Sequence, residues 1–208
     1  MTAADLRRAL YRALRPELLT SGFTKAARRQ RYDLPLGDGV SGFVEFADAT
    51  KRTRDHVWVS LAVGLVFRDM EELISGWCGD SMEHLMSAHS NIGYTRPAGG
   101  WFEVVFSDAE PVDRGVAALS AAVRDEAVPF LRRNSGFLDI ARLYEEGLPM
   151  LPLSVEERLP LAYALGGELD RAYEALLPIQ GKADSGEQPA RLLRRLAYLD
   201  GFRSRFPR

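Results

Sequence analysis

The clearest periodic signal in the chain is the alternation of apolar residues from His56 to Phe67. Side chains of an extended strand point alternately to its two faces, so this pattern predicts a strand with one buried face. Its apolar face consists of Val57, Val59, Leu61, Val63, Leu65 and Phe67, and its other face of His56, Trp58, Ser60, Ala62 and Gly64. Further strands are predicted at Arg28–Leu34, Val40–Phe46, Ala88–Tyr94 and Trp101–Phe106, with a tight turn at Gly37-Asp38-Gly39 between the first two.

Helical spacing of apolar residues appears on either side of these strands. Near the N-terminus, Thr2 and Asp5 form a capping-box pattern ahead of a leucine stripe, and Pro16 is expected to end or bend that helix. After Pro111 the apolar period changes from two to about 3.6, and Pro129 is expected to bend the last turn of the long helix that follows. The stripes are Leu6, Leu10, Leu14 and Leu18, and then Val112, Val116, Leu119, Val123, Ala127 and Phe130.

The C-terminal quarter of the chain is predicted to be helical. Gly147–Leu153, with two prolines, is the best candidate for a domain boundary. Helices Val155–Leu165 and Glu168–Ile179 meet at Gly166-Gly167, which indicates a helical hairpin, and Ala190–Phe202 forms a last helix. The sequence therefore predicts an α+β fold, with an antiparallel sheet of about five strands packed with helices and a helical C-terminal region. The predicted domains are 1–148, the α+β domain, and 149–208, the helical subdomain.

Composition narrows the functional classes only slightly. The chain has 208 residues and a net charge of −2, so no global charge draws it to nucleic acids or acidic membranes. Cys78 is the single cysteine, which excludes an intrachain disulfide and favours a cytoplasmic location. No apolar run is long enough to cross a bilayer. Arginine and alanine are abundant and lysine is rare, a composition typical of GC-rich bacteria.

The sequence contains no motif typical of a catalytic or metal site. Cys78, His84 and His89 follow a spacing of C-x5-H-x4-H, which matches no standard zinc pattern. No nucleophile-elbow, phosphate-loop or dinucleotide-binding motif occurs. We therefore expect no catalytic residues, no metal and no cofactor.

Two surface constellations remain as candidate binding sites. A basic group near the first hairpin would suit nucleic acid, but nucleic-acid binding is disfavoured by the overall charge. The second group lies on the sheet face opposite the apolar stripe, where tryptophans stand beside charged residues, as in many protein interfaces. The alternative is that helices cover this face and the tryptophans belong to the core. The basic group is Lys25, Arg28, Arg29, Arg31, Lys51, Arg52 and Arg54; the face residues are Trp58, Trp101, Phe43, Glu45, Glu103, Arg29 and Arg31.

The order of several short motifs resembles a bacterial domain-of-unknown-function family, number 4304, over roughly Ala3–Tyr144. The motifs are Ser21-Gly22-Phe23 with Lys25, Val59–Gly64, Ile92-Gly93, Gly100-Trp101 and Val128-Pro129-Phe130-Leu131. This chain has Ala47-Asp48-Ala49 where the family often has a Gln-Lys-Ser-like triplet, and Asn91 where it often has an arginine. The resemblance implies a fold and transfers no catalytic residue.

The leading hypothesis is a non-enzymatic cytoplasmic bacterial protein that binds another protein. An immunity-type partner of a secreted toxin is one form of it, by analogy with other small α+β domains. The alternative is an enzyme or small-ligand-binding protein with a pocket between the sheet and the helices. A nucleic-acid adaptor is the third and weakest hypothesis.

Overall fold

The structure, a computed structural model, describes residues 2–26, 30–49, 56–79, 86–107, 112–147, 155–183 and 189–208. The chain forms two compact units. The first comprises Met1–Leu65 and His89–Arg133, and the second comprises Val66–Ala88 and Asn134–Arg208. The predicted division into domains 1–148 and 149–208 stays a prediction, because it concerns which parts of the chain fold on their own.

Six strands of the described chain form one antiparallel sheet. Their order is β1-β2-β3-β4-β5, and β6 pairs with the first half of β4, so that β5 and β6 both border β4. The predicted α+β class is confirmed, and the strand in addition to the five predicted is β1, which has only two residues. The strands are β1 (Thr24–Lys25), β2 (Arg31–Gly37), β3 (Val40–Ala49), β4 (His56–Phe67), β5 (Ala88–Asn91) and β6 (Glu103–Ser107).

Helices of the first unit pack on one face of this sheet. Val57, Val59, Leu61, Val63 and Leu65 of β4 are each at most 1% exposed, as their alternation predicts. Tyr11 of α1 meets Phe46 of β3 edge-on, and Gly42 of β3 leaves room for Leu131 of α4. The helices are α1 (Ala3–Thr20), α2 (Arg68–Cys78), α3 (Val112–Ala122), α4 (Val128–Arg133), α5 (Phe137–Glu146), α6 (Val155–Leu165), α7 (Leu169–Ala183) and α8 (Pro189–Arg205).

The first helix begins as the sequence predicts and continues past Pro16. The Thr2 hydroxyl accepts a hydrogen bond from the backbone of Asp5, whose carboxylate accepts one from the backbone of Thr2. Of the two expectations for Pro16, an end or a bend of the helix, the structure excludes the end, since α1 continues to Thr20. Pro16 removes one backbone hydrogen bond, and the buried side chains of Leu14 and Leu18 on either side hold the helix to the core.

Between α3 and α4 the helix widens into one π-helical turn, Val123–Ala127. Pro129 has no N–H to donate to the carbonyl of Asp125 one turn back, and its ring crowds that carbonyl. A wider turn is a common response of a helix to such a defect. In this turn Arg124 and Asp125 are exposed and Glu126 is half-buried.

Among the described residues of the second unit, the strand residues are Val66 and Phe67 of β4 and Ala88 of β5, and helices supply the rest of its regular structure. Helices α6 and α7 form the predicted hairpin at Gly166-Gly167, where Gly167 has a φ of 87°, a conformation that favours glycine. Trp77 of α2 packs edge-on against Tyr198 of α8, with ring centroids 5.6 Å apart. Among the described residues, no helix is both long and apolar enough to span a bilayer.

Candidate interaction surface

The second face of the sheet carries most of the residues that the sequence marks as a binding surface. In the pairing of β2 with β3, Arg31 lies opposite Glu45 and Asp33 lies opposite Phe43. Side chains that lie directly opposite each other in an antiparallel pair share a face. We call the face that carries these residues and their neighbours on β4 and β6 the outer face. Its members are Arg31, Asp33, Phe43, Glu45, Trp58, Ser60, Glu103 and Val105.

Pairing of β4 with β6 extends the outer face to the edge of the sheet. Trp58 lies opposite Val105, and Ser60 lies opposite Glu103. The Ser60 hydroxyl donates a hydrogen bond to the carbonyl of Ala47 on β3, at 3.3 Å. Trp58 and Ser60 are half-buried and Glu103 is exposed. Their β4 neighbours Val57 and Val59, which point to the other face, are fully buried. The sequence prediction of two chemically different faces is therefore confirmed for β4.

Phe43 corrects the predicted surface. It lies on the outer face, as the alternation predicts, but its exposed fraction is 0%. The Arg31 guanidinium lies 3.8 Å from the centroid of the Phe43 ring, and the His89 ring stacks on it at 5.7 Å. Because β4 separates β3 from β5, Phe43 and His89 meet across β4. Phe43 thus packs under Arg31 and His89 on the outer face and offers no surface for a partner to contact.

Trp101 is the most exposed of the aromatic residues on or beside the outer face. It precedes β6, and 62% of its surface is accessible to solvent. Its indole Nε1 donates a hydrogen bond to Glu103 Oε2 at 3.3 Å, which orients the ring beside the strand. The sequence left open whether the tryptophans are exposed or belong to the core, and the two residues differ in this respect. Trp101 is exposed, whereas Trp58 is half-buried against the tilted ring of His56. Arg29 lies outside the described residues, as do Arg28, Lys51, Arg52 and Arg54 of the basic group.

Asn91 sets the position of Trp101 by closing the loop between β5 and β6. Its side-chain amide donates to the carbonyl of Phe102 at 2.9 Å and accepts from the Phe102 N–H at 2.8 Å. The same side-chain oxygen accepts the N–H of Gly93 at 3.0 Å. A Cβ on Gly93 would overlap the carbonyl oxygen of Gly100, so the two ends of the loop approach each other as closely as backbone allows.

A bidentate ion pair holds the far side of this loop. Arg96 Nε and Nη2 donate to the Glu126 carboxylate at 2.6 and 2.9 Å, and the hydrogen bond to Glu126 raises the pKa of Arg96. The Arg96 guanidinium also lies 4.7 Å from the centroid of the Phe102 ring. Asn91 therefore holds the loop to the sheet, and Arg96 holds it to the π-helical turn. The backbone that carries Trp101 is fixed by these contacts.

Asn91→Ala is expected to lower the free energy of unfolding by about 1–3 kcal/mol. The substitution leaves the N–H groups of Gly93 and Phe102 without their acceptor in a largely buried place. Urea denaturation measures the loss, and hydrogen exchange of these two amides should accelerate. Asn91→Asp keeps the acceptor but places an oxygen against the Phe102 carbonyl, so its stability should fall between wild type and Asn91→Ala; equal stability of all three proteins would contradict the clamp.

A buried polar cluster of the second unit stabilises the fold. Glu71 accepts two hydrogen bonds from Arg158, at 2.8 and 2.7 Å, and a third from the Ser87 hydroxyl at 2.8 Å. Tyr144 donates to the Ser87 carbonyl, and burial raises the pKa of its phenol. Glu71 is 1% exposed and every one of these groups is paired, so the cluster presents no reactive group to solvent.

One cavity of the first unit lies between helices, and a second lies between the sheet and a helix, as the alternative hypothesis requires. One of about 280 Å³ lies between helices, lined by residues of α1 and by Ser120, Val123 and Arg124. A groove of about 380 Å³ lies between β6 and α3. The described residues contain no group of three His, Cys, Asp or Glu side chains that could hold a metal ion. His84 lies outside the described residues.

A comparison with protein-family models, curated proteins and solved structures found no match to this chain. The resemblance to family 4304 thus stays an expectation, and the outer face has to be interpreted from its own residues.

Sequence reasoning missed four contributors to this surface. Val105 and His89 take their places from strand pairing, while Asn91 and Arg96 act through the loop they close. The motif Asn91-Ile92-Gly93 could have indicated the role of Asn91, because the side chain of an asparagine before a tight turn commonly accepts the N–H two residues ahead. The partner of that asparagine, Phe102, is eleven residues away and is not visible in the pattern.

Proposed function

We propose that this protein binds another protein through the outer face of its sheet, with Trp101 as the central contact. The exposure of Trp101 on a firmly tied loop is the observation that carries the proposal. Tryptophan is among the residues that contribute most to binding energy at protein interfaces, and it has few rotatable bonds to immobilise.

The surroundings of Trp101 support this role. Val105 on the neighbouring strand is 43% exposed, Trp58 lies opposite it, and Glu103 supplies a charge beside both. Exposed apolar side chains with a few polar groups around them are the usual composition of a protein interface. The stack of Arg31 on Phe43 forms a rigid floor at the other end of the face, so little conformational entropy is lost on docking.

We place this binding in the cytoplasm, which the single cysteine favours, and we assign the protein no catalytic step. The narrower form of the proposal is an immunity-type protein that blocks a toxin. That form predicts a toxin gene beside the gene for this chain, whereas a metabolic operon would favour the ligand-binding alternative.

The test compares wild type with Trp101→Ala. Both proteins are immobilised and incubated with a lysate of the organism that carries the gene, and retained proteins are identified by mass spectrometry. We expect a protein that wild type retains and Trp101→Ala loses. With that partner purified, the Kd should weaken by about 30-fold or more, because an interface tryptophan of this kind contributes about 2 kcal/mol or more.

Leu193→Ala is the matched control. Leu193 lies on α8 and is 67% exposed, so the substitution also removes a large exposed apolar side chain but leaves the outer face intact. It should retain the same partner with an unchanged Kd. Equal retention by wild type, Trp101→Ala and Leu193→Ala would refute the proposal.

A further inference from the structure

The free edge of β6 points to a specific mode of binding. Within the described residues, β6 pairs with β4 on one side and no strand pairs with its other side. Backbone N–H and C=O groups on such an edge are available to a further strand. Exposed edges of this kind are used by proteins that bind extended peptides as an added strand.

The groove beside β6 has the shape that an added strand requires. Five consecutive residues, Phe102 to Phe106, all line it. Successive side chains of a strand point to opposite faces, so a groove touched by all five follows the backbone edge of β6. The edge is about 17 Å long at the usual rise per residue, enough to pair with a segment of about five residues.

Two small residues of α3, Gly115 and Ala118, line the opposite wall of the groove beside Arg114. Gly115 lies so close to Phe106 that a Cβ there would overlap the phenyl ring, and Ala118 follows one turn later. These residues keep α3 close to β6 without long side chains that would fill the space between them. A volume of about 380 Å³ therefore remains open between the strand and the helix.

Charge selects the kind of segment that fits. Arg114 lines the groove on the helix side, is exposed, and has no ion pair with any described residue. Glu103 lies on the strand side and is held by Trp101. On the α3 side of the groove, an acidic side chain of the segment would pair with Arg114 and a basic one would be repelled by it, whereas a side chain that points to the outer face would meet Glu103.

We propose that β6 binds an extended segment of a partner protein as an additional strand, in the groove against α3, with an acidic side chain of that segment paired to Arg114. This inference rests on the proposed function, because it names the binding mode and the chemistry of the protein partner. The segment is expected to be rich in β-branched residues, which suit a pleated and half-buried position.

The test uses a phage-displayed library of random twelve-residue peptides, selected on the full-length wild-type protein. We expect enriched peptides with alternating β-branched residues and one acidic residue. In complex with such a peptide, every second amide of Val104–Ser107, the set that points away from β4, should exchange hydrogen more slowly, because these amides become bonded to the new strand. Selection of no common sequence, or of peptides that leave these amides unchanged, would overturn the inference.

Ala118→Phe fills the groove from the helix side and should weaken the Kd of the selected peptide at least tenfold. Ala117→Phe is the control, since Ala117 is also exposed on α3 but lies about 100° around the helix and does not line the groove. Equal urea midpoints of the two variants exclude a folding defect. A peptide Kd unaffected by Ala118→Phe would overturn the inference.

Arg114→Glu tests the charge selection. It should weaken the Kd of the selected acidic peptide at least tenfold. Arg133→Glu changes an exposed arginine of α4 outside the groove and should leave this Kd unchanged. Equal effects of the two variants would overturn the proposed pairing with Arg114.

Two further outcomes separate this inference from the proposed function. If the natural partner is lost with Trp101→Ala but retained with Ala118→Phe, the outer face binds and the edge does not. If sedimentation shows a wild-type dimer that Ala118→Phe converts to monomer, the edge pairs with a second copy of this chain and the proposed partner segment is overturned.

Discussion

Glu71→Ala should lower the free energy of unfolding by about 3–5 kcal/mol, one of the two largest effects we expect in this protein. The substitution leaves the Arg158 guanidinium charged and buried without its bidentate partner, and removal of one member of a buried ion pair carries a cost of this size. It also removes the acceptor of the Ser87 hydroxyl, whose oxygen in turn accepts the N–H of Phe67. The charged pair therefore organises the end of β4 as well as α2.

Urea denaturation measures this loss, with Trp77 as the fluorescent probe. Trp77 is the tryptophan of the second unit, so Trp58 and Trp101 are replaced by phenylalanine in the background protein. Glu72→Ala is the control, because Glu72 is the exposed neighbour of Glu71 on the same helix and should change stability by less than about 0.5 kcal/mol. A loss below about 1 kcal/mol for Glu71→Ala would contradict the assigned role of the pair.

The double variant Glu71→Met with Arg158→Met distinguishes a lost pair from a lost side chain. Replacing both members of a buried ion pair by apolar residues of similar volume is often neutral, since no unpaired charge remains. The double variant should therefore be more stable than Glu71→Ala. A double variant as unstable as Glu71→Ala would show that packing, rather than charge, determines the effect.

Phe43→Ala should also lower the free energy of unfolding by about 3–5 kcal/mol. The ring is fully buried, and truncation of a buried phenylalanine leaves a cavity with a cost of this size. It also removes the surface on which Arg31 and His89 pack. The melt is followed through Trp58, which lies on the same face of the sheet.

Trp101→Ala is the matched comparison for Phe43→Ala. It deletes a larger aromatic ring, but one that is mostly exposed, so the loss of stability should stay within about 0.5 kcal/mol. The two variants thus separate two aromatic residues that the sequence marks equally as candidate binding residues. Comparable destabilisation by both would contradict the assignment of Phe43 to the interior and of Trp101 to the surface.

The strands and helices follow from short-range patterns, and this is why they were largely predictable. The period-two run of β4 and the change of period before α3 each depend on residues within one element. The hairpin at Gly166-Gly167 and the capping box at Thr2 are likewise local, and the structure contains both. The pattern left open whether α1 ends or bends at Pro16, and the helix continues because burial of the leucine stripe on both sides of Pro16 outweighs one missing hydrogen bond.

The candidate site was predictable only in part, because alternation assigns a residue to a face and not to a degree of exposure. Arg31, Phe43, Glu45, Trp58 and Glu103 share the face that alternation predicts. Phe43 is nevertheless covered, by an arginine on the adjacent strand and a histidine two strands away. That coverage depends on strand order and register, which periodicity does not specify.

The sequence by itself determined the α+β class, the buried face of β4 and the helical hairpin, since each is encoded in side chains that are neighbours along the chain. The tertiary structure alone decided the contacts between distant residues. It brought Asn91 to Phe102, Arg96 to Glu126, and Glu71 to Arg158, a pair 87 residues apart. It also left the outer edge of β6 without a partner strand among the described residues. Such pairings depend on how strands and helices pack in three dimensions, and many different packings are compatible with one periodic pattern.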